Sequence, residues 1–178
     1  MVRSTLARLF KSRDGHAGIR PLWHRVVELA RAKAWYLHGG VADTTEGRFD
    51  AVTLVLALML ARMEREAELT RPAVLLTELF VTDMDGQLRE SGVGDLVVGK
   101  HIGRLMSVLG GRLGALREAL ASDDSRALTE VIARNLTLIE GAAPEASAAL
   151  TRALWSDLLA LDDEALLAGA IPTPESFV

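Results

Sequence analysis

The stretch from Gly94 to His101 places glycines and a lysine close to the spacing of a phosphate-binding loop. Such a loop follows the pattern G-x-x-x-x-G-K-[ST], in which backbone amides bind the phosphates and the last hydroxyl binds magnesium. Here His101 replaces that hydroxyl, the interior of the stretch is Leu-Val-Val, and a predicted helix rather than a strand precedes it. We therefore do not expect nucleotide binding.

Two acidic residues, Asp83 and Asp85, are candidate metal ligands. On a helix their side chains point about 200° apart, so they cannot bind one ion without unwinding. Asp85 and Arg89 instead have the acid-first spacing of an ordinary helical ion pair. The chain has no cysteine, no zinc signature and no nucleophile elbow, and none of its histidines are paired at i, i+4. We predict that the protein is not an enzyme and needs no metal or other cofactor.

The elements that must position any functional residue are predicted to be helices. Hydrophobic residues make up 49% of the 178 residues but aromatic residues only 4%, which favours close-packed helices over a sheet. The fold class is therefore all-α, a single-domain bundle of about six to eight helices. We divide the chain into a basic amphipathic segment (1–18), a helical domain (19–170) and a tail (171–178). Helices are predicted over residues 2–13, 21–38, 46–69, 70–91, 95–121 and 123–140, with one or two more in 145–168.

The third of these helices has an apolar middle, from Ala51 to Ala61. A helix that spans a membrane needs about 20 such residues, and charged residues follow this shorter run at once. We predict a long central helix that is buried on all sides, with cap oxygens from Asp43, Thr44 or Thr45 at its start.

The first 38 residues carry eight Lys or Arg against two acidic residues, although the whole chain has a net charge of −4. Within them, residues 2–13 have apolar side chains at helical spacing and no apolar stretch typical of a secretory signal. A basic region of this kind favours an anionic partner, either lipid headgroups or RNA, or it is simply a solvated helix face. We predict no DNA partner and a cytoplasmic location, with peripheral contact to an anionic membrane as one option.

Four glycines, Gly99, Gly103, Gly110 and Gly114, fall within about 60° of one another on the helix that starts at Asp95. Each glycine costs a helix about 1 kcal/mol relative to alanine, so this stripe requires a compensating contact. Close approach of another backbone would provide it, from a neighbouring helix or from a bound partner.

Two segments resemble the signatures of the ubiquinol–cytochrome c chaperone family. The first is Asp43 to Asp50, and the second runs from Asp83 through Leu88 to Leu96 and on to Gly99-Lys100. Shorter stretches resemble other landmarks of that family: Ala30-Arg31, Trp35-Tyr36, Gly111-Arg112 and Ala133-Arg134-Asn135.

The resemblance implies a helical assembly factor that binds newly made cytochrome b and supports assembly of ubiquinol–cytochrome c reductase. It also implies contacts with a small helical partner protein and with the ribosome. If the chain is mitochondrial, it implies a location on the matrix side of the inner membrane. The alternative is a general membrane-surface or ribosome-associated adaptor without a specific client. The candidate partner-binding residues either contact the client or hold helix ends together through caps and ion pairs. They are Asp43, Gly47, Arg48, Asp83, Asp85, Arg89, Glu90, Gly92, Gly94, Asp95, Lys100, Gly103 and Arg104.

Overall fold

The computed structural model describes residues 15–90, 95–122 and 124–173, and these ranges are helical with short connections. The all-α prediction is confirmed. The predicted helix at residues 2–13 lies outside the described residues. The α-helices of these ranges are α1 (Arg20–Ala30), α2 (Lys33–Leu37), α3 (Thr45–Met63), α4 (Thr70–Glu90), α5 (Asp95–Ala121), α6 (Ser125–Asn135), α7 (Pro144–Ala160) and α8 (Asp163–Leu167). A short 3-10 helix, Ala67–Leu69, lies between α3 and α4.

Helix α3 is the central helix of the bundle, as predicted, but it ends at Met63 instead of residue 69, because the chain turns at residues 64–66 before the 3-10 helix. The hydroxyl of Thr44 accepts a hydrogen bond from the Gly47 amide at 3.1 Å and so caps its first turn. Every side chain from Leu54 to Leu60 is at most 7% exposed, because α1, α4, α5 and α7 all pack against this helix. Among the described helices, none combines the length and apolar character needed to cross a bilayer.

Helix α1 is joined to α4 by one tryptophan. The Trp23 ring meets Phe80 edge to face, with centroids 6.1 Å apart, and its Nε1 donates to Asp83 Oδ2 at 2.7 Å. This places an apolar contact and a charge-assisted hydrogen bond on the same pair of helices.

The single helix predicted over residues 21–38 is wrong, because the structure has two helices, α1 and α2. Ala32 has extended backbone angles (φ −56°, ψ 133°) and interrupts the helix. The Trp35 indole then donates to the Leu29 carbonyl and the Tyr36 hydroxyl to the Ala30 carbonyl, both at 2.9 Å. These side chains bind carbonyls that a continuing helix would have used.

The helix predicted to reach residue 140 ends at Asn135. Its start is as predicted, since the Asp124 carboxylate accepts from the Arg126 amide at 2.9 Å. Beyond its end the chain is extended: the Thr137 carbonyl accepts from the Ala42 amide, and Leu138 forms an isolated β-bridge with Val41.

Candidate functional site

An open groove of about 910 Å³ runs between α4 and α5, with the end of α3 as a third wall. Its lining combines aliphatic side chains with three threonines, and the residues are His16, Leu60, Met63, Glu64, Thr70, Ala73, Val74, Thr77, Glu78, Val81, Thr82, Met106 and Leu113. Val74 is 54% exposed and Met106 36% exposed, which is unusual for large apolar side chains that lie so near each other. The groove is therefore an apolar surface open to a second polypeptide.

The charged groups of the groove are acidic. Glu64 and Glu78 contribute carboxylates, and none of the described residues that line the groove is a lysine or an arginine. Glu78 Oε2 lies 2.9 Å from His16 Nε2. The Glu64 carboxylate accepts two hydrogen bonds from Arg117, at 2.8 and 3.0 Å. Because both carboxylates already have partners within the chain, the apolar lining is the main feature of this surface that a ligand would meet.

The glycine stripe of α5 faces open space. A Cβ built at Gly99, Gly103, Gly110 or Gly114 would meet nothing within 4 Å outside its own helix. Among the described residues, no neighbouring helix packs on this stripe, so within this part of the chain the predicted internal contact is not found and a bound partner is the alternative that is left. Helical geometry places Met106 and Leu113 within about 40° of the Gly99 direction, so the stripe adjoins the groove.

A buried arginine on α5 ties three helices together. Arg112 is 4% exposed; it pairs with the Asp50 carboxylate of α3 at 3.0 Å and donates to the Asp50 carbonyl at 2.8 Å. It also donates to the Thr53 hydroxyl and the Asn135 carbonyl. Asp50 in turn accepts from the Thr137 amide and hydroxyl at 2.9 and 2.8 Å.

This Arg112 network explains three residues of the family-like segments as structural. It fixes α5 at its middle, next to the groove, and holds the end of α6 against the start of α3. From the sequence alone, Gly111-Arg112 and Asn135 are only family-like landmarks, because nothing in the chain order indicates that Asp50 lies beside them.

The first signature segment forms the start of α3. A Cβ at Gly47 would lie 2.0 Å from the Ala42 carbonyl oxygen, so only glycine fits this close approach. Arg48 Nε donates to Asp43 Oδ1 at 2.6 Å, and this hydrogen bond lowers the pKa of Asp43 and raises that of Arg48. Nearby, burial raises the pKa of Tyr36 above its ordinary value, with smaller effects from Arg48 and Asp43.

The second signature segment lies on α4 and α5. Asp83 accepts the Trp23 hydrogen bond, and Arg89 Nε pairs with Asp85 Oδ2 at 2.8 Å. That ion pair is the one predicted from the i, i+4 spacing. The remaining described candidates, Glu90, Lys100, Gly103 and Arg104, are exposed. Gly92, Gly94 and the side chain of Asp95 lie outside the described residues.

The structure thus divides the candidate residues. Gly47 and Asp83 make internal contacts that position helices, whereas Lys100, Gly103 and Arg104 are exposed on α5. Of these three, only Gly103 lies on the side of α5 that adjoins the groove, because helical geometry turns Lys100 and Arg104 about 120° and 160° away from Met106. Residues 95–101 are helical, so they do not form the open loop that a bound phosphate requires. In the described ranges we find no group of three metal-ligating side chains.

Sequence reasoning missed the groove itself. Its α4 wall alternates small, polar and apolar residues (Ala73, Val74, Thr77, Glu78, Val81), a pattern that is typical of an ordinary amphipathic helix edge. In the sequence, the glycine stripe indicates the α5 wall of the groove, but no pattern indicates the α4 wall.

Comparisons with known proteins show the family and the fold of this chain. The sequence model of the ubiquinol–cytochrome c chaperone family matches residues 37–173. The crystal structure of the Cbp3 homologue from Brucella abortus is similar to this chain with a TM-score of 0.78 and 32% sequence identity, covering 97% of this chain and 96% of that one. No curated protein sequence matches the chain. The predicted resemblance is confirmed, and the chain belongs to the ubiquinol–cytochrome c chaperone family.

Proposed function

We propose that this chaperone binds newly made cytochrome b and supports assembly of ubiquinol–cytochrome c reductase by covering an apolar segment of its client in the α4–α5 groove. Membership of a chaperone family implies a non-catalytic role. The observation that carries the proposal is the open groove of about 910 Å³ beside four helical glycines that no other part of the described chain contacts.

The chemistry of the groove suits a membrane protein that is not yet assembled. Cytochrome b, as a membrane protein, exposes apolar helices before it is complete, and such helices carry lysine and arginine at one end. The aliphatic lining would cover the apolar face of such a helix. The glycine stripe would let a client helix approach the α5 backbone closely.

The proposed site of action is the membrane face at which cytochrome b is inserted. Contacts with a small helical partner protein and the ribosome stay predictions from the family resemblance, and contact with anionic lipid stays a prediction from the basic charge of residues 1–38. They do not enter the argument for the groove.

The test is complementation in a cell that depends on this chain for its cytochrome bc complex. Val74→Asp places a charge on the groove at a side chain that is already 54% exposed, so folding should change by no more than about 0.5 kcal/mol. Leu159→Asp on α7 is the matched control, because Leu159 is 44% exposed and does not line the groove.

We expect loss of assembled cytochrome bc complex with Val74→Asp and normal levels with Leu159→Asp. Normal assembly with both variants would contradict the groove as the client site. Normal assembly in cells that lack the chain altogether would contradict the proposed function and favour a general adaptor.

A further inference from the structure

Helix α2 ends in a leucine that is almost free of contacts with the rest of the domain. Leu37 is 72% exposed, more than any other large apolar side chain of the described residues. It stands just before the Gly39-Gly40 turn, where Gly40 has a positive φ of 71° and the chain reverses sharply. Leu37 therefore projects from the domain, and it does not line the α4–α5 groove.

A second exposed aliphatic side chain is held beside this turn. Ile139 is 53% exposed, and its amide donates to the Gly40 carbonyl at 2.9 Å. The neighbouring residues Val41 and Leu138 form the isolated β-bridge. Leu37 and Ile139 thus lie on two chain segments that are hydrogen-bonded to each other at the same end of the bundle.

Two cationic side chains accompany the exposed leucine. Lys33 and Leu37 are four residues apart on α2 and so lie on the same face of that helix. The Tyr36 hydroxyl donates to the Ala30 carbonyl at 2.9 Å, which holds α2 against the end of α1 and keeps Arg31 close to it. The side chains of Arg31 and Lys33 are exposed, and neither forms a hydrogen bond or ion pair with another described residue. We define the α2 tip as Arg31, Lys33, Leu37 and Ile139.

The acidic groups around the α2 tip are largely offset. Asp43 accepts a hydrogen bond from Arg48 at 2.6 Å. Glu46 lies in the first turn of α3, where the partial positive charge of the helix N-terminus offsets its charge. Glu140 has no ion pair with a described residue and opposes the binding of anions. The two free cations of the tip exceed this single opposing charge, so the tip attracts an anionic surface.

The side chains of the α2 tip favour lipid over RNA. Proteins bind single-stranded RNA with aromatic side chains on which the bases stack, together with cations. Here Trp35 is buried and Tyr36 is only partly exposed, so α2 offers no freely exposed aromatic ring. Exposed aliphatic side chains next to lysine and arginine are instead typical of a surface that enters the headgroup region of an anionic bilayer.

We propose that the α2 tip is the surface through which this protein contacts an anionic membrane. Leu37 and Ile139 enter the headgroup region, and Arg31 and Lys33 bind lipid phosphates. This contact is independent of the α4–α5 groove, because no residue of the tip lines the groove.

Fluorescence at one labelled position tests the insertion, and the natural chain helps because it has no cysteine. The full-length Leu37→Cys protein carries an environment-sensitive fluorophore and is mixed with vesicles of equal parts phosphatidylglycerol and phosphatidylcholine. Leu159→Cys on α7 is the matched control, since Leu159 is 44% exposed and lies outside the tip. We expect a blue shift of the emission from position 37 and none from position 159. No shift at position 37, or the same shift at both positions, would overturn the proposal.

Sedimentation of unlabelled variants with the same vesicles tests the chemistry of the contact. Lys33→Gln removes one cation and should weaken binding about fivefold, whereas Lys100→Gln, an exposed lysine on α5, is the matched control and should change nothing. Glu140→Gln removes the opposing charge and should strengthen binding. Equal losses with both lysine variants would show that general charge, and not the α2 tip, attracts the vesicles.

Two further measurements separate lipid from other anions. Leu37→Gln keeps the charge of the tip and should also weaken vesicle binding, so full binding by this variant would contradict insertion. Binding of a single-stranded uridine oligonucleotide by the natural chain, without binding of the vesicles, would replace the membrane by RNA as the partner. Each substituted position is exposed, so the far-UV circular dichroism of every variant should match that of the natural chain.

Discussion

Replacement of the α5 glycines by alanine should stabilise the protein. Gly103 and Gly110 lie inside a 27-residue helix, and a Cβ at either position meets nothing within 4 Å. Removing the conformational freedom of glycine from a helix interior is worth about 0.5–1 kcal/mol per site. For a protein of this size we expect each Gly→Ala change to raise Tm by about 1–4 °C.

The assay is thermal unfolding followed by far-UV circular dichroism, with Gly47→Ala as the matched control. At Gly47 the new Cβ would lie 2.0 Å from the Ala42 carbonyl oxygen, so the start of α3 must shift at a cost of about 1–3 kcal/mol. The two kinds of glycine should therefore change Tm in opposite directions.

A lower Tm for Gly103→Ala or Gly110→Ala would refute the reasoning, because it would mean that the stripe is occupied within the folded chain. Client capture should fall when the stripe is filled, even though stability does not. Gly103→Leu fits the open space and should leave Tm unchanged or higher, yet it should reduce client capture by keeping the client away from the α5 backbone.

Three further predictions concern the charged and titrating groups. Arg112→Met should destabilise the fold by about 3–5 kcal/mol, because Asp50 is left without its buried partner, and adding Asp50→Asn should recover part of that loss in urea unfolding. Arg89→Glu breaks the exposed ion pair with Asp85, and a helical pair of this kind contributes only about 0.3–0.5 kcal/mol. If circular dichroism shows the variant to be folded, lost cytochrome b capture would identify Arg89 as a client contact, and unchanged capture would exclude it. Tyr36 is the only tyrosine, so phenolate absorbance reports on this residue alone. Because burial raises the pKa of Tyr36, we expect its titration midpoint to lie above the ordinary value of about 10. The stabilising contribution of this shift is present below the unfolded pKa and is lost as pH rises through the folded pKa. A midpoint at or below 10 would contradict that burial.

The predictable parts of the fold were those governed by local chemistry. The Thr44 cap, the apolar run of α3, the Asp124 cap and the Asp85–Arg89 pair all follow from residues close in sequence. Such contacts are favoured by backbone geometry alone, whatever the remainder of the chain does.

The incorrect helix ends have two different causes. The break at Ala32 accompanies local contacts, in which Trp35 and Tyr36 bind carbonyls six residues earlier in α1. The early end of α6 depends on Asp50, 87 residues before Thr137. This second pairing has no signature in a single sequence, since it requires the helices to be packed first.

The candidate site was predicted in part. The glycine stripe was found, but its helical spacing does not indicate whether a neighbouring helix or a partner covers it. The division of the signature residues into those that position helices and those that are exposed also required the structure, because Gly47 and Gly103 look equivalent in the sequence.

Photo-crosslinking in growing cells tests the central claim most directly. A photoreactive amino acid replaces Val74 in the groove or, as the control, Leu159 on α7, and cytochrome b is detected among the crosslinked products. The account predicts cytochrome b crosslinks from position 74 and none from position 159. Absence of cytochrome b at position 74, or equal crosslinking from both positions, would contradict it.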